Sequence, residues 1–116
     1  MNKKLARILV VEDEYMLAQE VAGAITDAGM IAVGPAANTH DAIELVKNQS
    51  VDAAILDVNL VDELVYPLAD LLKARRIPFV FCTGYDASSL PSRFENVICC
   101  EKPINIRQAF KSLGLL

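Results

Sequence analysis

The sequence predicts an α/β domain: an open parallel sheet of five strands with helices on both faces. Two observations point to it. Short, continuous β-branched runs carry no polar alternation, as strands buried on both faces do. Those runs are interleaved from end to end with stretches of helical spacing, the pattern of a doubly wound sheet.

The elements follow in order. Arg7-Ile8-Leu9-Val10-Val11 reads as the first strand. Residues 14–29 show helical spacing, with Leu17, Val21, Ala24, Ile25 and Ala28 on one face and Gly29 as the stop. Residues 31–34 read as a second strand, ended by Pro35. Thr39 is the predicted N-cap of a helix over 40–48 that turns Ala42, Leu45 and Val46 inward. Residues 52–57 read as a third strand, apolar until it ends on Asp57. Residues 60–65 are expected to be a loop. Pro67 is then placed in the first turn of a helix reaching Arg75, where a proline is tolerated. Pro78 to Thr83 is the fourth strand. Asp86 to Glu95 is a short or distorted helix, weakened by Ser88, Ser89 and Pro91. Val97 to Cys100 is the fifth strand, and 104–113 the last helix, with Ile106, Ala109, Phe110 and Leu113 inward.

The chain has 116 residues, one domain's worth, and the whole of 1–116 is read as that domain. Hydrophobic residues make up 53%, enough for a real core and too many for a disordered chain. The net charge of −4, with basic residues scattered, argues against binding a nucleic-acid backbone. No apolar stretch approaches the ~20 residues of a spanning helix. The run Ile8–Val11 is too short for a signal peptide's core, and acidic residues follow at once. The expectation is a soluble cytoplasmic protein. Three cysteines, Cys82, Cys99 and Cys100, lack metal-ligand spacing and read as buried small hydrophobes.

In such sheets ligands bind beyond the carboxyl ends of the strands. There the first strand ends in Glu12-Asp13, the third in Asp57 and the fourth in Thr83-Gly84, while Lys102-Pro103 follows the fifth. Three carboxylates brought together repel one another and raise at least one pKa. A hard divalent cation such as Mg²⁺ and the Lys102 ammonium would relieve that repulsion. The set suits phosphoryl transfer: metal and lysine neutralise phosphoryl oxygens, a hydroxyl donates to one, and a carboxylate is the nucleophile. Each residue also has a plainer reading, as a turn residue, a helix-terminal charge or a solvated lysine. The case rests on all of them falling at successive strand ends.

The segments ILVVEDE, AAILDVNL, FVFCTGY and EKP, spread over the whole chain, resemble the response-regulator receiver domains of two-component signalling. That resemblance implies a flavodoxin-like receiver fold in which Asp57 takes a phosphoryl group from a sensor histidine kinase or a histidine phosphotransfer protein. It implies that Glu12, Asp13 and Asp57 bind Mg²⁺ together with the backbone carbonyl of Asn59. It further implies that Thr83 and Lys102 contact the phosphoryl group, and that the Lys102-Pro103 bond is cis. FCTGY is most similar to a subgroup marked by Phe-Ala-Thr-Gly-Tyr, with Cys82 in place of Ala. The chain departs from most receivers in having Cys99 where an aromatic residue stands three before the lysine. Tyr85 is the candidate to share the switch role with Thr83. A second departure is Val61-Asp62-Glu63 after the phosphoacceptor strand, read as solvated charge.

The reading is a stand-alone receiver, monomeric or weakly dimeric. It would act through a downstream protein partner or onward phosphotransfer rather than as a conventional enzyme. Three alternatives stand beside it. A flavodoxin-like cofactor binder needs a Ser/Thr/Gly-rich phosphate loop, where this chain has Glu12-Asp13-Glu14-Tyr15. A phosphohydrolase commonly wants an Asp two residues past the nucleophile, where Asn59 stands. A degenerate receiver would fold without being phosphorylated. Among single residues, His40 is expected to face solvent on the second helix, and Tyr15 to pack near the site rim. Met16 and Met30 are expected to fill gaps in the core or rim.

Overall fold

The computed structural model describes residues 5–60, 63–84 and 90–115, except for the side chains of Asn59, Glu63 and Leu64. Its elements are β1 (Arg7–Val11), α1 (Tyr15–Asp27), β2 (Ile31–Ala36), α2 (Thr39–Asn48) and β3 (Ala53–Asp57). A small antiparallel pair, β4 (Asn59–Leu60) and β5 (Glu63–Leu64), follows. Then come α3 (Tyr66–Ala74), β6 (Phe79–Thr83), a 3-10 turn at Ser92–Phe94, β7 (Cys99–Glu101) and α4 (Ile106–Ser112).

The main sheet is parallel throughout, in the order β2-β1-β3-β6-β7. The strand residues sort by parity onto two faces. Leu9, Val11, Ala54, Leu56 and Phe81 pack with Ala42 and Val46 of α2 and Leu68, Ala69 and Leu72 of α3. Ile8, Val10, Ala53, Ile55, Val80 and Cys82 pack with Val21 and Ile25 of α1 and with Ala109 and Phe110 of α4. Both faces are covered, which explains why β1 and β3 carry no polar alternation.

Several local expectations are corrected. The cap of α2 is Asn38, whose side chain accepts from the Asp41 N–H at 2.8 Å, and Thr39 is the first helical residue. Strand β2 runs through Pro35 to Ala36, with a register irregularity and a cis Gly34-Pro35 bond. Because β2 is an edge strand, a proline costs it no ladder bond on the open side. Residues 59–60 and 63–64 pair as a hairpin within the expected loop. The short or distorted helix expected over 86–95 agrees with the 3-10 turn at Ser92–Phe94, while residues 86–89 lie outside the described residues. Four α-helices are present among the described residues.

Pro67 does occupy the first turn of α3, and Gly29 follows α1 with φ +83°, where a glycine is unstrained. On α1, Ala18 is buried with Val21 and Ile25, while Ala28 is exposed. Met16 and Tyr15 are 78% and 75% exposed, so neither fills the core. His40 is exposed on α2, as expected. Phe94 is fully buried; it lies against Tyr66 at 5.6 Å and edge-on to Phe81 at 5.5 Å. That aromatic contact ties the 3-10 turn to α3 and β6.

Candidate phosphoacceptor site

The carboxyl ends of β1, β3 and β6 lie side by side, and their last residues form the site. Glu12 leaves β1 with its N–H donating to the Ala36 carbonyl at 3.0 Å, which holds the acidic turn beside the edge strand. Asp57 ends β3, and the next residue, Val58, donates its N–H to the Cys82 carbonyl at 3.0 Å. Thr83 ends β6 and accepts through its carbonyl from the Lys102 N–H at 3.1 Å. Lys102 stands just past β7, and its bond to Pro103 is cis, as expected.

These connections bring four of the expected side chains to one point. Glu12, Asp57 and Thr83 are buried, at 8%, 4% and 4% exposure. The Lys102 ammonium donates to Glu12 Oε1 at 2.9 Å and to Asp57 Oδ2 at 3.2 Å. One carboxylate oxygen from each of Glu12, Asp13 and Asp57 lies within 4.8 Å of the other two. Thr83 closes the same end of β6. Asn59 begins the hairpin two residues beyond Asp57; its side chain, and all of Tyr85, lie outside the described residues.

Electrostatics follow from the crowding. Burial raises the Glu12 carboxyl above its ordinary value, the neighbouring Asp57 raises it further, and Lys102 only partly offsets both. Burial works against the Lys102 ammonium, but its bonds and attraction to Glu12 and Asp57 outweigh that and raise it. The cluster thus sets two buried acids and a third at the rim about the Lys102 ammonium. A hard dication fits this oxygen donor set, which holds no soft ligand at the acid cluster. Chemically, the arrangement sets a buried carboxylate beside an ammonium that donates to it.

The pattern of the response regulator receiver domain family matches residues 8–108. The chain belongs to that family. Among solved structures, the receiver resembles SdrG from Sphingomonas melonis Fr1 (36% identity, 97% of this chain and 99% of that one, TM-score 0.83). A receiver domain protein from Methanospirillum hungatei JF-1 shares the fold at 22% identity and a TM-score of 0.83, over 96% and 92% of the two chains. In sequence, the receiver is 28% identical to the transcriptional regulatory protein PdtaR of Mycobacterium tuberculosis over 88 residues, 75% of this chain and 43% of that one. It is 30% identical to the sensory transduction protein LytT of Enterococcus faecalis over 86 residues, 72% of this chain and 36% of that one. The receiver therefore spans less than half the length of these curated relatives. No helix among its described residues is long and apolar enough to cross a membrane.

One feature of the site escaped the sequence. A cleft of about 310 Å³ opens beside the acids, lined by Leu17 and Val21 of α1, by Ile55, Asp57 and Cys82 of the sheet, and by Ile104. Leu17 has the spacing of a core residue, and no single-sequence signal separates a cleft wall from a core contact. The cysteines also differ from the buried thiols expected: Cys82 is buried, but Cys99 and Cys100 are only half-buried.

Proposed function

We propose that this receiver accepts a phosphoryl group on Asp57 from a phosphohistidine of a sensor histidine kinase or histidine phosphotransfer protein, in a Mg²⁺-dependent reaction. The observation that carries the reading is the Lys102 ammonium held between Glu12 and Asp57 at the mouth of a three-carboxylate cluster. The Asp57 oxygen attacks phosphorus, the N–P bond of the donor breaks, and histidine leaves with the bonding electron pair. Lys102 and the Thr83 hydroxyl contact the transferring phosphoryl oxygens. Glu12, Asp13, Asp57 and the Asn59 carbonyl are the groups that would hold Mg²⁺, which when bound neutralises charge between carboxylate and phosphoryl oxygens.

The proposal takes the whole of 1–116 as one cytoplasmic receiver of the Phe-Ala-Thr-Gly-Tyr subgroup, a phosphoacceptor rather than a conventional enzyme. Its chemistry is limited to its own phosphorylation and dephosphorylation. Its output is a phosphorylation-dependent protein contact or onward phosphotransfer, with Thr83 and Tyr85 sharing the switch in place of the missing aromatic at Cys99. Similarity to SdrG, also solved in a BeF3-activated conformation at 35% identity, supports the phosphoacceptor reading.

Intact-mass spectrometry after incubation with a small phosphodonor tests it, with and without Mg²⁺, on wild type and Asp57→Asn. The expected result is one Mg²⁺-dependent phosphoryl adduct, absent from the variant. No adduct with small donors or with a histidine kinase would replace the proposal with a receiver that acts only as a binding module.

A further inference from the structure

The strand register places a row of reactive side chains across one face of the sheet. Asp57 pairs with Cys82, and Cys82 pairs with Cys100. Cys82 belongs to the face covered by α1 and α4, and Cys100 packs on that same face. Cys99 packs on the opposite face, and its thiol donates to the Val97 carbonyl at 3.8 Å. The two cysteines adjacent in sequence are therefore separated by the sheet, while Cys82 and Cys100 face each other across neighbouring strands.

Paired residues of adjacent parallel strands stand about 4.8 Å apart, within the Cα separation that a disulfide spans. Bridging them needs the Cβ atoms drawn slightly together, so such a bond is strained and easily reduced, the kind used transiently in reducing compartments. Access is available from both sides. Cys82 lines the cleft beside Asp57, and Cys100 is half-buried. In support, the hydrogen bond between the two thiols lowers the Cys100 pKa against the opposing effect of burial and pushes the Cys82 thiol up, which makes Cys100 the more acidic of the pair and the first to react.

We infer that Cys82 and Cys100 form a modification site for small peroxides, which convert the pair to a reversible intramolecular disulfide one strand away from Asp57. The Cys100 thiolate attacks one peroxide oxygen; an S–O bond forms, the O–O bond breaks, and hydroxide leaves to become water on protonation. The Cys82 sulfur then attacks the Cys100 sulfenic acid. The S–S bond forms, the S–O bond breaks, and the Cys82 proton departs with the leaving oxygen as a second water. Two electrons pass from the two sulfurs to one peroxide. The bridge joins β6 to β7 and closes the chain from 83 to 99 into a loop whose ends adjoin Thr83 and Lys102. The inference is independent of whether Asp57 is phosphorylated.

The test uses the full chain, treated with hydrogen peroxide and then alkylated, intact and after proteolytic mapping. Before alkylation the expected product is a monomer lighter by about 2 Da, two hydrogens, restored by dithiothreitol; after alkylation it carries one alkyl group, on Cys99, with a peptide cross-link between Cys82 and Cys100. Cys99→Ser should behave as wild type. Cys82→Ser should stop at a Cys100 sulfenic acid that dimedone traps, and Cys100→Ser should form no intramolecular bridge. A bridge to Cys99, a disulfide-linked dimer, over-oxidation of Cys100 in wild type without a bridge, or three free thiols would each overturn the assignment. Mapping of the wild type decides the matter even if a serine variant fails to fold.

Discussion

Replacing Lys102 by Met isolates what the ammonium contributes. In the native chain it lies 2.9 Å from Glu12 and 3.2 Å from Asp57, and its side chain is 28% exposed. Removing one partner of a buried pair costs about 3–5 kcal/mol, because the other charge is left without compensation. The partial exposure of Lys102 places the expected loss at the lower end, about 3 kcal/mol, at neutral pH and low salt. With a urea m-value of about 2 kcal/mol/M, the midpoint should fall by roughly 1.5 M. The loss should depend on pH in a fixed direction. The folded Glu12 pKa already lies above its ordinary value of 4.5, so between those two values Glu12 binds more proton in the native state than in the unfolded state. Stability therefore falls as pH rises through that window. Lys102 is what pulls the Glu12 pKa down, so in Lys102→Met the pKa rises further and the fall is steeper. The deficit should be smaller at pH 5 than at pH 8, and Mg²⁺ should recover much of it by supplying the missing positive charge. Urea denaturation monitored by circular dichroism, at both pH values and with EDTA or Mg²⁺, reads all of this. Equal midpoints for wild type and variant at pH 8 in EDTA would refute the view that the ammonium compensates the acid cluster.

Asp57→Asn removes both effects by which Asp57 raises the Glu12 pKa, so its stability in EDTA should decline less between pH 5 and pH 8 than that of wild type. Parallel urea titrations at the two pH values check this. Phe94→Ala empties a fully buried ring site between Tyr66 and Phe81, and chemical denaturation should show a loss of about 3–5 kcal/mol. Arg93→Ala, by contrast, breaks an exposed pair with Asp70 and should shift the midpoint far less than Phe94→Ala in the same assay. Gly34→Ala puts a side chain at φ +94°, with its Cβ 2.8 Å from the Ala36 nitrogen and 3.2 Å from the Val10 carbonyl. A lower thermal midpoint, equivalent to about 1–3 kcal/mol, is expected.

The parts of the fold legible in the sequence are those whose cause is local or periodic. Ile8–Val11 and Ala53–Leu56 are apolar at every position because the sheet is covered on both faces, and that leaves a signal any window detects. The strand-end positions of Glu12, Asp57 and Thr83 then follow from chain order alone. Features settled by neighbours distant in sequence were not legible. Pro35 stops a strand on propensity, yet an edge position beside β1 lets β2 continue through it. Asn38 and Thr39 are both good caps, and the backbone entering α2 selects Asn38. Met16 carries an apolar side chain at a position of α1 that turns away from the sheet. The pairing of Cys82 with Cys100 depends on β6–β7 register, which no spacing within either strand encodes.

The polarity of the parallel sheet has a practical consequence for attaching things to this protein. All the chemistry gathers at one pole, so the turns that lead into the strands lie at the other. One of them, at Gln49 to Asp52, is gripped by Arg7: its backbone N–H donates to Asp52, and its guanidinium donates to Ser50 and Gln49. The turn from α3 into β6 is tied by the Arg75 guanidinium, which donates to the Val46 carbonyl at 3.1 Å. It is closed by backbone bonds from Arg76 to Lys73 and from Ile77 to Leu72, with Arg76 at φ +59°. Chain inserted between Arg76 and Pro78 would hang from the far pole, and each doubling of its length costs only about 0.6 kcal/mol in closure entropy. A fluorescent reporter or tether grafted there would leave the acid cluster's approach open to a docking protein.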